Sequence, residues 1–153
     1  YNQKYMAARV FDILLIDDNP GDCILIEDAW AQCTIVESKV SILRETRDAM
    51  RYLRSAGPYL DSPRPDLIML DYHMPVDGGI ALTEIKGDPD FLQIPVVVVT
   101  GSQNPKDIHD IYSRHANCCI RKPSDLDALG AMVCDIANHW LLRAVHPPVL
   151  SRN

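Results

Sequence analysis

The stretch Val96-Val97-Val98-Val99-Thr100 decides the fold. Four β-branched residues follow one another without polar alternation, the pattern of a strand buried on both faces. Such a strand needs helices on both sides of its sheet. The segments around it supply them. Phe11 to Ile16 is an apolar strand that stops at Asp17-Asp18-Asn19-Pro20-Gly21, and Leu67 to Leu70 is another that stops at Asp71. Lys39 to Leu43 and Cys118 to Ile120 bring the strands to five. Helical patterns lie between them: Asp22 to Gln32, Asp48 to Ser55, Ile80 to Lys86, and Asn104-Pro105 to about His115. Asn19 is placed to cap the first helix, with Pro20 in its first turn. Ser124-Asp125-Leu126-Asp127 resembles a capping box at the head of the last helix, which carries Leu126, Leu129, Met132, Val133, Ile136, Ala137 and Trp140 at near-helical spacing. Strands alternating with helices predict an α/β fold: a five-stranded parallel sheet with five helices, in three layers.

Composition narrows the function classes. With 153 residues, 47% of them apolar and 24% charged, the chain is long enough for one domain with its own core. A net charge of −6 argues against a general basic face for DNA. No apolar run approaches the roughly 18–20 residues of a membrane helix, and residues 1–9 lack the apolar stretch of a signal peptide. The five cysteines are an odd number with no C-x-x-C pair, which reads as reduced thiols of a cytoplasmic protein. The adjacent Cys118 and Cys119 have no partner at zinc-site spacing, so a metal site or vicinal disulfide there is disfavoured.

The polar residues sit where the strands stop. Strand one ends at Asp17-Asp18, strand three at Asp71, strand four at Thr100, and strand five at Arg121-Lys122-Pro123. In a parallel sheet these ends share one edge, and open α/β sheets bind ligands there. Clustered carboxylates repel unless a cation sits among them, and oxygen ligands select a hard ion such as Mg²⁺. Lys122 is superfluous to a metal site and useful to an arriving anion. A carboxylate can attack phosphorus to give an aspartyl-phosphate, with Lys122 neutralising charge and Thr100 donating a hydrogen bond.

These motifs together resemble the response regulator receiver domains of two-component signalling. The residues that carry the resemblance are Ile16-Asp17-Asp18-Asn19, Leu70-Asp71-Tyr72-His73-Met74-Pro75 with Asp77-Gly78-Gly79, Thr100-Gly101-Ser102, and Lys122-Pro123. It covers about Val10 to His139 and implies the flavodoxin-like strand order 2-1-3-4-5. It implies Asp71 as phosphoacceptor, and Asp17, Asp18, Asp71 and the backbone carbonyl of His73 as Mg²⁺ ligands. Thr100 becomes the switch hydroxyl and Lys122 the phosphoryl contact, with a cis bond expected before Pro123. Three residues depart from the family pattern: Tyr72 and His73 stand where Leu and Asn are more usual, and Cys119 is the third. Cys119 occupies the position usually taken by the switch aromatic. His73 and Ser102 occupy the two positions that tune dephosphorylation.

The chain divides into residues 1–9 as a tail, 10–139 as the receiver, and 140–153 as an apolar extension. The extension, with Asp61-Ser62-Pro63-Arg64-Pro65 and Asn117-Cys118, is similar to receivers paired with bacterial and cyanobacterial phytochromes. That likeness implies a sensor histidine kinase of the bacteriophytochrome kind as partner. It also implies a homodimer through the last helix and its extension, with Val133, Ile136, Trp140 and Leu141 at the interface. Two other readings have weaker support: a pseudo-receiver acting only as an interaction module, and an Mg²⁺-dependent phosphohydrolase. The second requires an acid two residues after Asp71, where His73 stands.

Overall fold

The computed structural model describes residues 9–72 and 78–148. Five parallel strands, β1 (Val10–Ile16), β2 (Glu37–Leu43), β3 (Leu67–Asp71), β4 (Val96–Thr100) and β5 (Cys118–Arg121), form one sheet in the order β2-β1-β3-β4-β5. The helices are α1 (Pro20–Gln32), α2 (Thr46–Leu53), α3 (Gly78–Gly87), α4 (Pro105–Ser113) and α5 (Leu126–Ile136). The flavodoxin-like α/β fold expected from the sequence is therefore the observed one.

Alternation along the strands builds two cores. Ile13, Leu15, Leu67, Met69, Val97 and Val99 face α1 and α5, where Ile26, Trp30, Val133 and Ile136 close over them. Leu14, Ile16, Ile68, Leu70, Val96 and Val98 face the other way, against Met50 of α2, Leu82 and Ile85 of α3, and Ile111 of α4. β4 is buried on both faces throughout, as its valine run requires. Lys86 is buried at the end of α3 and donates to the carbonyls of Leu92 and Ile94, at 3.0 and 2.9 Å. Burial pushes this ammonium down to about 8.

Two helix starts differ in how they met expectation. The Asn19 side chain caps α1 as predicted, accepting from the Asp22 N–H at 3.0 Å. The cap of α5 is Asp125 rather than Ser124: its carboxylate accepts from the Ala128 N–H at 2.7 Å. Asp125 holds the extended backbone of a cap while Leu126 is already helical, so the Ser124 hydroxyl lies one residue outside. The bond before Pro123 is trans, not cis as the resemblance implied.

The last helix does not run on regularly to Trp140. After Ile136 it widens into a π-helical stretch, Ala137–Arg143, in which the Ala144 N–H reaches the His139 carbonyl at 2.9 Å. Beyond it, His146, Pro147 and Pro148 line a cleft with Arg9, Arg64, Asp66 and Gln93 at the amino ends of the strands. The described part of the extension thus lies against its own domain. Val133, Ile136 and Leu141 are buried in the α1–α5 core; Trp140 is half-buried, and Leu142 and Val145 are exposed.

Candidate functional site

The site is the carboxyl edge of the sheet. Register places Ile16 beside Leu70, Asp71 beside Val99, and Thr100 beside Arg121, so Asp17, Asp71, Thr100 and Lys122 all come to this edge. Asp17 is pinned at both ends: its N–H donates to the Leu43 carbonyl at 3.1 Å, and its carboxylate accepts from the Asn19 N–H at 2.9 Å. Lys122 is anchored by its own N–H, which donates to the Thr100 carbonyl at 2.8 Å. Gly78 brings the start of α3 against β3, where an added Cβ would lie 2.6 Å from the Tyr72 carbonyl oxygen.

Three carboxylates meet here. Oxygens of Asp17, Asp22 and Asp71 lie within 4.8 Å of one another. Asp17 is 1% and Asp71 8% exposed, so their repulsion is poorly screened by water. Burial, chiefly, pushes Asp17 up to about 7, with the neighbouring Asp71 adding to the rise and the Asn19 N–H opposing it. The Lys122 ammonium pairs with Asp22. Burial alone would lower its proton affinity, but Asp22, Asp71 and Asp17 outweigh that and raise it. The donor set suits a hard divalent cation: all oxygen, net negative, and held by three different elements.

Asp22 was not singled out in the sequence. It lies in the first turn of α1, and the helix swings its carboxylate back over the pocket. Asp18 is exposed and stands outside the three-carboxylate group. The available signal was the spacing: Asp22 follows Asp18 by one helical turn at a strand-to-helix junction. His73 lies outside the described residues.

Thr100 is fully buried and its Oγ1 accepts from the Ser102 N–H at 3.0 Å. The Ser102 hydroxyl donates to Asp107 and accepts from the Asn104 N–H at 3.1 Å, tying the threonine loop to the start of α4. At Cys119, where the resemblance expects an aromatic, the Tyr112 hydroxyl of α4 accepts from the backbone N–H at 3.1 Å. A second link escaped sequence reasoning. Tyr72, next to Asp71, donates to Asp110 of α4; Arg114 also reaches Asp110, at 2.9 Å, and the Gly79 carbonyl at 3.0 Å. Burial and the Asp110 charge hold the Tyr72 phenol up at about 12.

This arrangement matches a known family along most of the chain. The model of the response regulator receiver domain matches residues 13–134. The chain belongs to the response regulator receiver family. Response regulator Rcp1 of Synechocystis sp. is 42% identical over 130 residues, covering 84% of this chain and 88% of that protein. A probable methanogenesis regulatory protein, FilR2 of Methanothrix harundinacea, is 35% identical, covering 88% and 86%. Among solved structures, the phosphorylated cyanobacterial phytochrome response regulator RcpA superposes with a TM-score of 0.83 at 41% identity, covering 92% of this chain and all of that one. The Mn²⁺-bound form of Rcp1 superposes with a TM-score of 0.80 at 39% identity, covering 90% and 99%. Among the described residues of this receiver, no helix is long and apolar enough to cross a membrane.

Proposed function

We propose that this receiver takes a phosphoryl group from a phosphohistidine of a sensor histidine kinase onto Asp71, and that the kinase is a phytochrome. The observation that carries this reading is the convergence of Asp17, Asp22, Asp71, Thr100 and Lys122 on one edge of the sheet. The likeness to Rcp1 and RcpA supports the phytochrome partner.

In the transfer, a carboxylate oxygen of Asp71 bonds to phosphorus as the phosphorus–nitrogen bond of the donor breaks, and the electron pair leaves with the imidazole. Asp17, Asp22 and Asp71 would hold a divalent cation, Mg²⁺ by availability and hardness, with His73 and Asp18 as further ligands by resemblance. Bound there, the cation neutralises charge on the phosphoryl oxygens. Lys122 exchanges its Asp22 partner for a phosphoryl oxygen, and Thr100 turns its hydroxyl toward the same group. The new charge is relayed toward α4 through the Thr100–Ser102–Asp107 chain and through Tyr72 and Asp110, changing the affinity of that face for a partner. The protein is then a cytoplasmic phosphoacceptor without a turnover substrate, and its dimer contact falls to the exposed Leu142, Val145 and the free edge of Trp140.

The test is phosphorylation with acetyl phosphate, with and without Mg²⁺, read by intact mass and size-exclusion elution. A gain of one phosphoryl group that needs both Mg²⁺ and Asp71, and is lost in Asp71→Asn, is the expected result. No gain in wild type from either acetyl phosphate or a phosphorylated phytochrome kinase, with the fold intact, sinks the reading and favours a phosphorylation-independent interaction module.

A further inference from the structure

Two thiols remote from the acidic edge lie against each other. Cys33 is the buried cap residue at the end of α1, and Cys134 is a half-buried residue near the end of α5. Their sulfurs are 3.0 Å apart, across 101 positions of sequence, and both are free thiols. That separation is longer than the roughly 2.05 Å of a sulfur–sulfur bond. It is shorter than the roughly 3.7 Å between two thiolates on one tetrahedral zinc, given the zinc–sulfur length. A zinc site would need two further ligands, and no third metal-ligating side chain joins this pair among the described residues, whereas a bond needs only an approach of about 1 Å. The other cysteines are committed elsewhere. Cys23 donates to the Asp17 carbonyl at 3.4 Å, and Cys118 and Cys119 alternate on β5, facing opposite cores. A vicinal bond between those two would have to break that alternation.

We propose that Cys33 and Cys134 are a disulfide-forming pair that crosslinks α1 to α5, taking a small-molecule disulfide of the glutathione type as oxidant. Cys134 is the more exposed, so its thiolate attacks first, giving a mixed disulfide and releasing one small thiol. The Cys33 thiolate then attacks the Cys134 sulfur and expels the second small thiol. Each protein thiol gives its proton to a departing thiolate; the two cysteines are oxidised and the small disulfide is reduced to two thiols. The hydrogen bond to Cys33, with burial, holds the Cys134 thiol up at about 11, so the reaction is slow and yields a structural crosslink rather than a fast sensor. The bond has a mechanical consequence. The Asp22–Lys122 pair already ties the start of α1 to the loop before α5, and the disulfide ties their far ends. Between these ties lies the cleft of Leu25, Ile26, Leu126 and Leu129 beside Lys122, whose width becomes fixed.

The test uses the full chain, reduced, desalted and incubated with excess oxidised glutathione. Intact mass, non-reducing peptide maps and thermal melts are read together. The expected result is a mass lower by two hydrogen atoms and one linked peptide pair holding Cys33 and Cys134. The melting midpoint should rise by roughly 5–15 °C, since the bond closes a long loop, and fall again with reductant. Cys33→Ser and Cys134→Ser each abolish the shift, while the double variant Cys118→Ser/Cys119→Ser keeps it. Glutathione left on Cys134, a link through any other cysteine, a link between two chains, or an unchanged mass in folded protein overturns the proposal. The wild-type peptide map decides alone where a serine variant fails to fold.

Discussion

Lys86 and Asp17 are buried charges at opposite edges of one sheet, and the fold treats them oppositely. Lys86, 8% exposed, sits at the amino edge with two carbonyl oxygens at 2.9 and 3.0 Å, so its ammonium is solvated by backbone. Asp17, 1% exposed, sits at the carboxyl edge with one backbone N–H and two further carboxylates. The first arrangement closes a loop. The second stores repulsion that a divalent cation would relieve. A buried charge is thus structural where the backbone compensates it, and a candidate functional group where a proton or a ligand must.

The comparison can be broken most forcefully at Lys86. Lys86→Ala removes a packed side chain and leaves two buried carbonyls without a donor, which should cost about 2–4 kcal/mol in urea denaturation. A loss under about 1 kcal/mol would mean that water replaces the ammonium and that the loop is not held by it. The same residue predicts a pH response. Burial sets the folded-state lysine at about 8 against the ordinary 10.5. Between these values the unfolded chain binds more protons, so stability rises with pH by on the order of 3 kcal/mol in all. Lys86→Met should flatten that rise.

Asp17 should behave with the opposite sign. Asp17→Asn removes repulsion, so the metal-free protein gains about 1–2 kcal/mol while divalent affinity falls about tenfold or more. Thermal melts with and without Mg²⁺ separate the two effects, and destabilisation of the metal-free variant would contradict the stored-repulsion account. In wild type, the folded state keeps the Asp17 proton up to about 7 and the unfolded state releases it near 3.8. The folded state therefore binds more protons in that window, and metal-free stability falls as pH rises through it. Added Mg²⁺ should offset that loss, most fully above pH 7 where Asp17 is ionised in both states. The smallest effect is expected at Tyr72→Phe, about 1 kcal/mol for one hydrogen bond. Its sharper readout is faster amide exchange in α4, where Asp110 loses its tie to the residue after Asp71.

Much of this was legible before folding. The valine run at Val96–Val99 announced a doubly buried strand, and the breaks at Asp17, Asp71, Thr100 and Lys122 announced a polar edge. What misled was local. Ser124 looks like a cap because the pattern S-x-x-D tolerates a shift of one residue, and only the backbone of Asp125 selects the true one. Asp22 was easily passed over because a helical turn, not adjacency, brings it to Asp71. The apolar residues Val133, Ile136 and Leu141 read equally well as an interface or a core stripe, because hydrophobic spacing does not say which surface a helix meets.

Periodicity and chain breaks are properties of neighbouring residues, so the order of elements and the four polar strand ends follow from the residue order. Which carboxylate joins Asp17 and Asp71, that Tyr72 reaches Asp110, and that Cys33 meets Cys134 across 101 positions depend on contacts between distant segments. Such contacts are selected by the packing of whole helices against the sheet, because a few ångströms of helix placement decide whether two side chains touch.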